Sequence, residues 1–140
     1  MIFTDFIRKN ATDGSTLTKE DFELFDRKVF KDGGKTLRRY MESPYITTLF
    51  FDKGFIVYDI QKRDGDGFDN DIVCTIYALF KEKKPGLSIL NLGWLKICNE
   101  FFKFLKLNKV NKVVMVTKLE PSFWKKYGFK LKRYEMERDI

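Results

Sequence analysis

Histidine is absent from all 140 residues, and that removes Ser-His-Asp triads, Cys-His dyads and the common zinc sites at one stroke. Cysteine is nearly as scarce. Cys74 and Cys98 each lie inside an apolar run, with no CxxC spacing, so they read as buried free thiols of a reducing cytosol rather than as disulfide staples. A long uninterrupted hydrophobic run is missing too. The stretch from Leu87 to Leu107 is broken by Asn91, Lys96, Asn99, Glu100, Lys103 and Lys106, which makes it an amphipathic or buried helix and not a membrane span. The opening MIFTDFIRKN is too short and too charged for a signal peptide. These absences together point to a cytoplasmic chain with no membrane partner. No internal repeat, low-complexity tract or linker divides it, so residues 1–140 read as a single domain.

Hydrophobic residues make up 44% of the chain, enough for a core without staples and too many for disorder. Aromatics are abundant: 15 Phe, 6 Tyr and 2 Trp, several outside obvious core positions and so available to line a site or an interface. The formal net charge is +7. A basic surface attracts nucleic acid, anionic lipid or a phosphorylated ligand, but here the Lys residues are scattered, and the plain reading is a solvated surface.

Periodicity and punctuation predict the elements. Met1–Ile7 alternates in part and reads as a short strand, followed by a turn at Asp13-Gly14. Thr18 is an N-cap with Asp21 in the third helical position, and Phe22, Phe25, Val29 and Phe30 give a helix that stops at Gly33-Gly34. Thr36–Glu42 forms a second short helix before Ser43-Pro44. Tyr45–Phe51 and Gly54–Gln61 are strands of a hairpin turned at Asp52-Lys53. Arg63–Asn70 is a polar, Gly-rich loop, and Asp71–Phe80 the most apolar and central strand. After a charged loop at Lys81–Gly86, a helix runs from Leu87 or Ser88 to about Leu107. It presents Leu90, Trp94, Ile97, Cys98, Phe101, Phe102 and Leu105 to the core, with a surplus of large side chains that suits a homo-oligomer or assembly contact. Lys112–Thr117 is a buried-type strand, Ser122–Tyr127 a short helix ended by Gly128, and Phe129–Arg138 a final strand. The fold class is therefore α/β (α+β), with a β-α-β crossover whose strands lie parallel and side by side.

Two motif fragments carry no chemistry. Gly34-Lys35-Thr36 resembles the end of a P-loop, but Val29 stands where the first glycine belongs and a helix precedes it. Asp64, Asp66, Asp69 and Asp71 crowd one loop without the remaining ligands of a calcium site; they read as a solvated loop, or as a patch attractive to a cationic substrate such as lysine or a polyamine. No metal is expected. Lys125, Lys126, Lys130, Lys132 and Arg133, beside Trp124 and Tyr127, interleave basic and aromatic residues in a manner that suits nucleic acid.

Element order and one motif carry a family resemblance. Val113–Thr117 is followed by Phe123-Trp124-Lys125-Lys126-Tyr127-Gly128-Phe129, which is similar to the strand and short helix reading F-Y-x-x-x-G-F near the end of GNAT N-acyltransferases. The resemblance implies a mixed, mostly antiparallel sheet with helices on both faces, and an acyl-CoA donor, acetyl-CoA foremost, as co-substrate beside Asp71–Phe80 and Lys112–Thr117. It places backbone groups of Ala78, Leu79 and Phe80 on the donor. The family's loop R/Q-x-x-G-x-G/A, whose N–H groups and helix N-terminus hold pyrophosphate, corresponds to Lys84-Pro85-Gly86-Leu87-Ser88-Ile89. Here Lys84 stands at the basic position, Leu87 and Ile89 replace small residues, and Pro85 lacks an N–H. Lys81, Lys83 and Lys84 are either side-chain phosphate ligands or an ordinary solvated loop. Trp124 takes the position of the family's acidic Tyr and has no titratable proton. Tyr127, one helical turn on, and Tyr134 are the hydroxyls left for that role, with half-buried packing as their alternative. A base for the amine is sought among Glu82, Glu120 and the aspartates of residues 64–71.

Two functions follow from the resemblance. The first is an N-acyltransferase that passes an acyl group to an amine on a small molecule or protein. The second is a catalytically inactive protein of the same fold, such as a small bacteriophage protein acting in host cytoplasm or virion, with a structural, protein-binding or nucleic-acid-binding role.

Overall fold

The computed structural model describes residues 1–82 and 91–115. In chain order these form α1 (Asp5–Asn10), α2 (Lys19–Phe25), α3 (Lys35–Glu42), β1 (Thr47–Phe51), β2 (Gly54–Gly65), β3 (Phe68–Lys81), α4 (Asn91–Leu107) and β4 (Lys112–Met115). The strands lie in the order β1-β2-β3-β4, antiparallel except for the last pair, where β3 and β4 run parallel with Val73 opposite Lys112 and Ile76 opposite Met115. The expected mixed sheet and crossover are present. The expected last helix and strand, Ser122–Tyr127 and Phe129–Arg138, lie outside the described residues, as does the start of the long helix at Leu87–Leu90.

Helices cover both faces because strand side chains alternate. Leu49, Phe51, Ile56, Tyr58, Cys74 and Ile76 meet Ile7 of α1 and Ile97, Phe101, Phe104 and Leu105 of α4. Phe50, Phe55 and Val57 point the other way and meet Leu24 and Phe25 of α2 and Leu37 of α3. Aromatics supply much of the packing on each side. On the α4 face Phe104 stacks on Phe3 at 5.0 Å and meets the edge of Tyr58 at 5.9 Å. On the α2/α3 face Phe25 meets Phe55 at 4.9 Å and Phe80 at 5.9 Å. Each fully buried ring of this kind contributes about 1.5–3 kcal/mol through burial.

The first element differs from expectation: Met1–Ile7 is not a strand, and helix α1 occupies its second half. Thr4 caps the helix by accepting the Ile7 N–H, Asp5 lies in the first turn and Arg8 and Lys9 in the last, so both ends complement the helix dipole. The residues ahead of it are held by a side chain instead of a ladder. The Asn108 amide accepts from the Ile2 N–H at 2.9 Å and donates to the Ile2 carbonyl at 2.7 Å. A single antiparallel bridge, Thr12 to Phe50, pairs this region with the sheet.

Thr18 caps α2 as expected, accepting the Asp21 N–H at 3.1 Å. The helix then widens into a π turn over Asp26–Phe30 and ends at Lys31, in the left-handed region at φ 57°. The Asp26 carboxylate accepts the N–H groups of Asp32 (3.2 Å) and Gly34 (2.9 Å), which turns the chain into α3. Gly34 has φ +86°, and a Cβ there would sit 2.5 Å from the Phe22 ring, so only glycine fits.

The expected loop at Arg63–Asn70 is mostly strand. β2 continues to Gly65 and β3 begins at Phe68, so only Asp66-Gly67 turn the hairpin. Asp66 and Gly67 both adopt positive φ, the conformation that tight hairpins require. At that end Asp71 clamps β4 in place. It accepts from the Asn111 amide at 2.6 Å and pairs with Lys112 at 3.0 Å, while Asn111 exchanges hydrogen bonds with Ile72 through its side-chain oxygen and its N–H.

Two stability measurements test this packing. Phe104→Ala should cost about 3–5 kcal/mol in chemical denaturation, with the slope unchanged. The Asn111 amide, the Asp69 N–H and Lys112 hold the Asp71 carboxyl down to about 2, below its ordinary 3.8. Its folded value lies below its unfolded one, so its stabilisation is present above pH 3.8 and is lost as pH falls toward 2. Asp71→Asn should flatten that part of the acid-denaturation curve.

Candidate functional site

The β2–β3 ladder is interrupted where the resemblance places the acyl donor. Tyr58 pairs with Ile76 and Val57 with Ala78, so Tyr77 is an extra residue, a β-bulge. The bulge shifts the alternation by one. Ile76 and Leu79 both face α4, whereas Tyr77, Ala78 and Phe80 pack with the α2/α3 face. Ala78, Leu79 and Phe80 are all half-buried. Beyond the last described pair with β4, Ile76↔Met115, β3 runs on through Tyr77–Lys81 with β2 on one edge and no described strand on the other.

Beside the bulge lies a polar cluster. Asp59 of β2 points to the α2/α3 face and is only 5% exposed. Its Oδ2 accepts the Tyr77 hydroxyl at 2.7 Å and the Gln61 amide at 2.9 Å. Tyr40 of α3 brings its ring to 6.0 Å from that of Tyr77, and Phe30 lies 6.0 Å beyond Tyr40. Burial first, then the hydrogen bond to Asp59 and its negative charge, push the Tyr77 hydroxyl up to about 12. Burial likewise raises Tyr40. Near neutrality both are neutral phenols, able to donate or accept a hydrogen bond.

This cluster was not singled out from the sequence. The available signal was Asp59 itself, a lone carboxylate inside the apolar run FIVYDI, on the same face as Phe55 and Val57. The residues that were singled out divide into two groups. Ala78, Leu79 and Phe80 are described and adjacent to the bulge. Lys83, Lys84, Gly86, Leu87, Ser88, Trp124, Tyr127 and Tyr134 lie outside the described residues, as do Glu120 and the basic run Lys125–Arg133.

One source proposed for a base lies far from Ala78–Phe80. The aspartates of residues 64–71 sit at the opposite end of the β2–β3 hairpin, and Asp71 lies about 23 Å along the strand from Ala78. Asp71 is also committed to Asn111 and Lys112. Glu82 is exposed, just past the end of β3. The thiols are quiet: burial pushes both Cys74 and Cys98 up to about 12, though Cys98 is only partly buried by its neighbours. Among the described residues no three acidic or thiol side chains group to hold a metal ion, and no helix is long and apolar enough to cross a membrane.

No family model and no curated protein matches the sequence. Solved structures do. The chain is similar to an acetyltransferase from Trypanosoma brucei at 18% identity and a TM-score of 0.59, over 93% of this chain and 96% of that one. It is similar to an aminoglycoside 6'-N-acetyltransferase from Acinetobacter baumannii at 13% identity and a TM-score of 0.59, over 93% and 92%. An aminoglycoside N-acetyltransferase in complex with CoA matches at 16% identity and a TM-score of 0.51, over 89% and 88%. At these identities the likeness is one of fold, and the fold is that of the GNAT acetyltransferases.

The bulge cluster makes a spectroscopic prediction. In an alkaline absorbance titration of tyrosinate, Asp59→Asn should lower the pH at which Tyr77 ionises, because it removes the negative charge that opposes the phenolate. An unchanged titration relative to Tyr77→Phe difference spectra would show that Asp59 does not act on Tyr77.

Proposed function

We propose that this chain is an N-acyltransferase that moves an acetyl or other acyl group from acyl-CoA to an amine. The observation that carries the reading is the bulged end of β3. Residues Tyr77–Lys81 present one strand edge with no described partner, immediately past the parallel β3–β4 pair. In this reading the edge of that segment turned away from β2 gives its backbone N–H and C=O groups to an extended ligand lying alongside it. The acetyltransferase fold, and the CoA held by one of the similar proteins, support that ligand as acyl-CoA.

In this reading, backbone groups of Ala78, Leu79 and Phe80 align the donor. Lys83, Lys84, Gly86, Leu87 and Ser88 contact its phosphates, and Trp124 borders it. The amine nitrogen forms a bond to the acyl carbon as the carbon–sulfur bond breaks. Tyr127 gives its proton to the departing thiolate, with Tyr134 as the second hydroxyl available, and the proton that the new amide nitrogen sheds passes through water to the tyrosinate and restores the phenol. Catalysis rests chiefly on holding the two reactants in register. The acceptor is a small molecule or protein bearing an amine.

The decisive experiment is a thermal-shift titration with acetyl-CoA, with adenosine diphosphate as the phosphate control. At about 100 times its dissociation constant the donor should add about 2.7 kcal/mol, a rise of several degrees in Tm that adenosine diphosphate does not match. In a thiol-release assay, Tyr127→Phe should then lower kcat by about 10²-fold or more with little change in KM for acetyl-CoA. Absence of any shift at millimolar acetyl-CoA would overturn the reading.

A further inference from the structure

The positive charge of the described residues is concentrated in one place. Residues 1–82 and 91–115 carry 18 Lys and Arg against 16 Asp and Glu. Six of those cations, Arg27, Lys28, Lys31, Lys35, Arg38 and Arg39, fall within residues 27–42, which hold two acids, Asp32 and Glu42. The other described residues are acidic on balance, with 12 cations to 14 acids. All six cations are exposed, and none has a carboxylate within 4.0 Å among the described residues. Residues 83–90 and 116–140 bring nine Lys and Arg and only four Asp and Glu, too few to pair all six.

The nearby acids are engaged elsewhere. Asp26 accepts the N–H groups of Asp32 and Gly34, and Asp32 accepts the Thr36 N–H at 3.1 Å. Earlier in α2, Glu23 pairs with Lys19 at 3.9 Å and Asp21 with Lys53 at 2.5 Å. Only Glu42 stands among the six without an ion pair of its own.

Packing arranges the cations along the outer side of the two helices. Leu37 is fully buried, and Lys35 and Arg39 lie two residues to either side of it, one turn apart on the opposite side of α3. Arg38 reaches toward α2, where its guanidinium lies over the Phe22 ring at 5.2 Å. Arg27 and Lys28 stand on the π turn that ends α2, and Lys31 on the residue that closes it. The row therefore follows the chain around the turn from one helix to the next. Charges held this way on a fixed backbone attract a polyanion.

Tyr45 narrows the class of polyanion. It stands just past the end of α3 and is 83% exposed, the most exposed large apolar side chain among the described residues. The Ser43 N–H bonds to the Tyr40 carbonyl at 3.3 Å, and Ser43 Oγ accepts the N–H groups of Tyr45 at 3.2 Å and Ile46 at 3.3 Å, so the turn fixes where the ring emerges. A free aromatic face at the end of a row of cations suits a ligand with both phosphates and uncovered bases. A duplex keeps its base faces inside the stack, and an acidic peptide has none.

We propose that the outer side of α2 and α3 binds single-stranded nucleic acid, with the cations of residues 27–39 on its phosphates and Tyr45 stacked on a base. This surface is independent of the acyltransferase reading.

Fluorescence anisotropy of the full chain with a labelled oligothymidylate of about 12 nucleotides tests it. The wild type should bind, more weakly as salt rises. Lys35→Gln with Arg39→Gln should make the dependence of log K on log salt shallower by about 1.4, the share of two phosphate contacts. Tyr45→Leu should weaken binding about fivefold or more at every salt concentration and leave that slope alone. Lys62→Gln, an exposed cation elsewhere on β2, should change neither. These side chains are all exposed, so an unchanged Tm is expected throughout. No binding at low salt, an unchanged slope in the double variant, an unchanged affinity in Tyr45→Leu, or equal affinity for a duplex of the same length would overturn the proposal. Polyglutamate that displaces the strand as well as unlabelled strand does would also overturn it, and would assign the surface to an acidic protein. Acetyl-CoA is titrated into the same preparations. Strand binding in a protein that ignores acetyl-CoA upholds this surface and sinks the acyltransferase reading; acetyl-CoA binding without strand binding sinks this surface alone.

Discussion

The β2–β3 ladder, with its one-residue slip at Tyr77, is the constraint from which the rest of the described structure follows. Side chains of a strand alternate between faces, so a single extra residue exchanges the faces of everything beyond it. Before the slip, Cys74 and Ile76 face α4; after it, Leu79 does, while Ala78 and Phe80 join Phe25 and Phe55 on the other side. Without the bulge, Phe80 would face α4 and Leu79 the cluster around Phe25. Tyr77, the extra residue itself, lies on the α2/α3 face, where its hydroxyl meets Asp59 and its ring meets Tyr40.

Charge is handled differently at the two ends of this hairpin. At the turn end, Asp71 is neutralised and tied to the next strand by Asn111 and Lys112, an arrangement that sets the parallel register of β4. At the bulge end, Asp59 is more deeply buried and is met by a phenol and an amide. Ion pairs that staple strands are spent on structure.

Much of the architecture was legible in the chain. Thr18 and the apolar spacing after it specified α2; Asp52-Lys53 between two β-rich runs specified the first hairpin; the order of elements specified the parallel pair. The misreadings have physical causes. MIFTDFI alternates like a strand, but Thr4 as a cap and the packing of Ile7 against α4 favour a helix, and Asn108 and Phe104, over a hundred residues away, tie down what precedes it. The polar residues of Arg63–Asn70 look like loop because a hairpin that extends past the core has no apolar face to show. Phe104 passed unremarked beside Phe101 and Phe102, although it is the fully buried ring of the three.

The candidate site divides along the same line. Residue types alone ruled out histidine-based chemistry; element order and the motif at Phe123–Phe129 pointed to the GNAT fold, and that resemblance marked Ala78–Phe80 as the stretch to watch. Such readings depend on composition and on neighbours within a few residues, which a chain carries with it whether folded or not. The bulge, and the meeting of Asp59 with Tyr77 and Tyr40, depend on which residue of one strand stands opposite which residue of the next. That register is settled by the competition of two hydrophobic faces for the same side chains, and only the folded sheet resolves it.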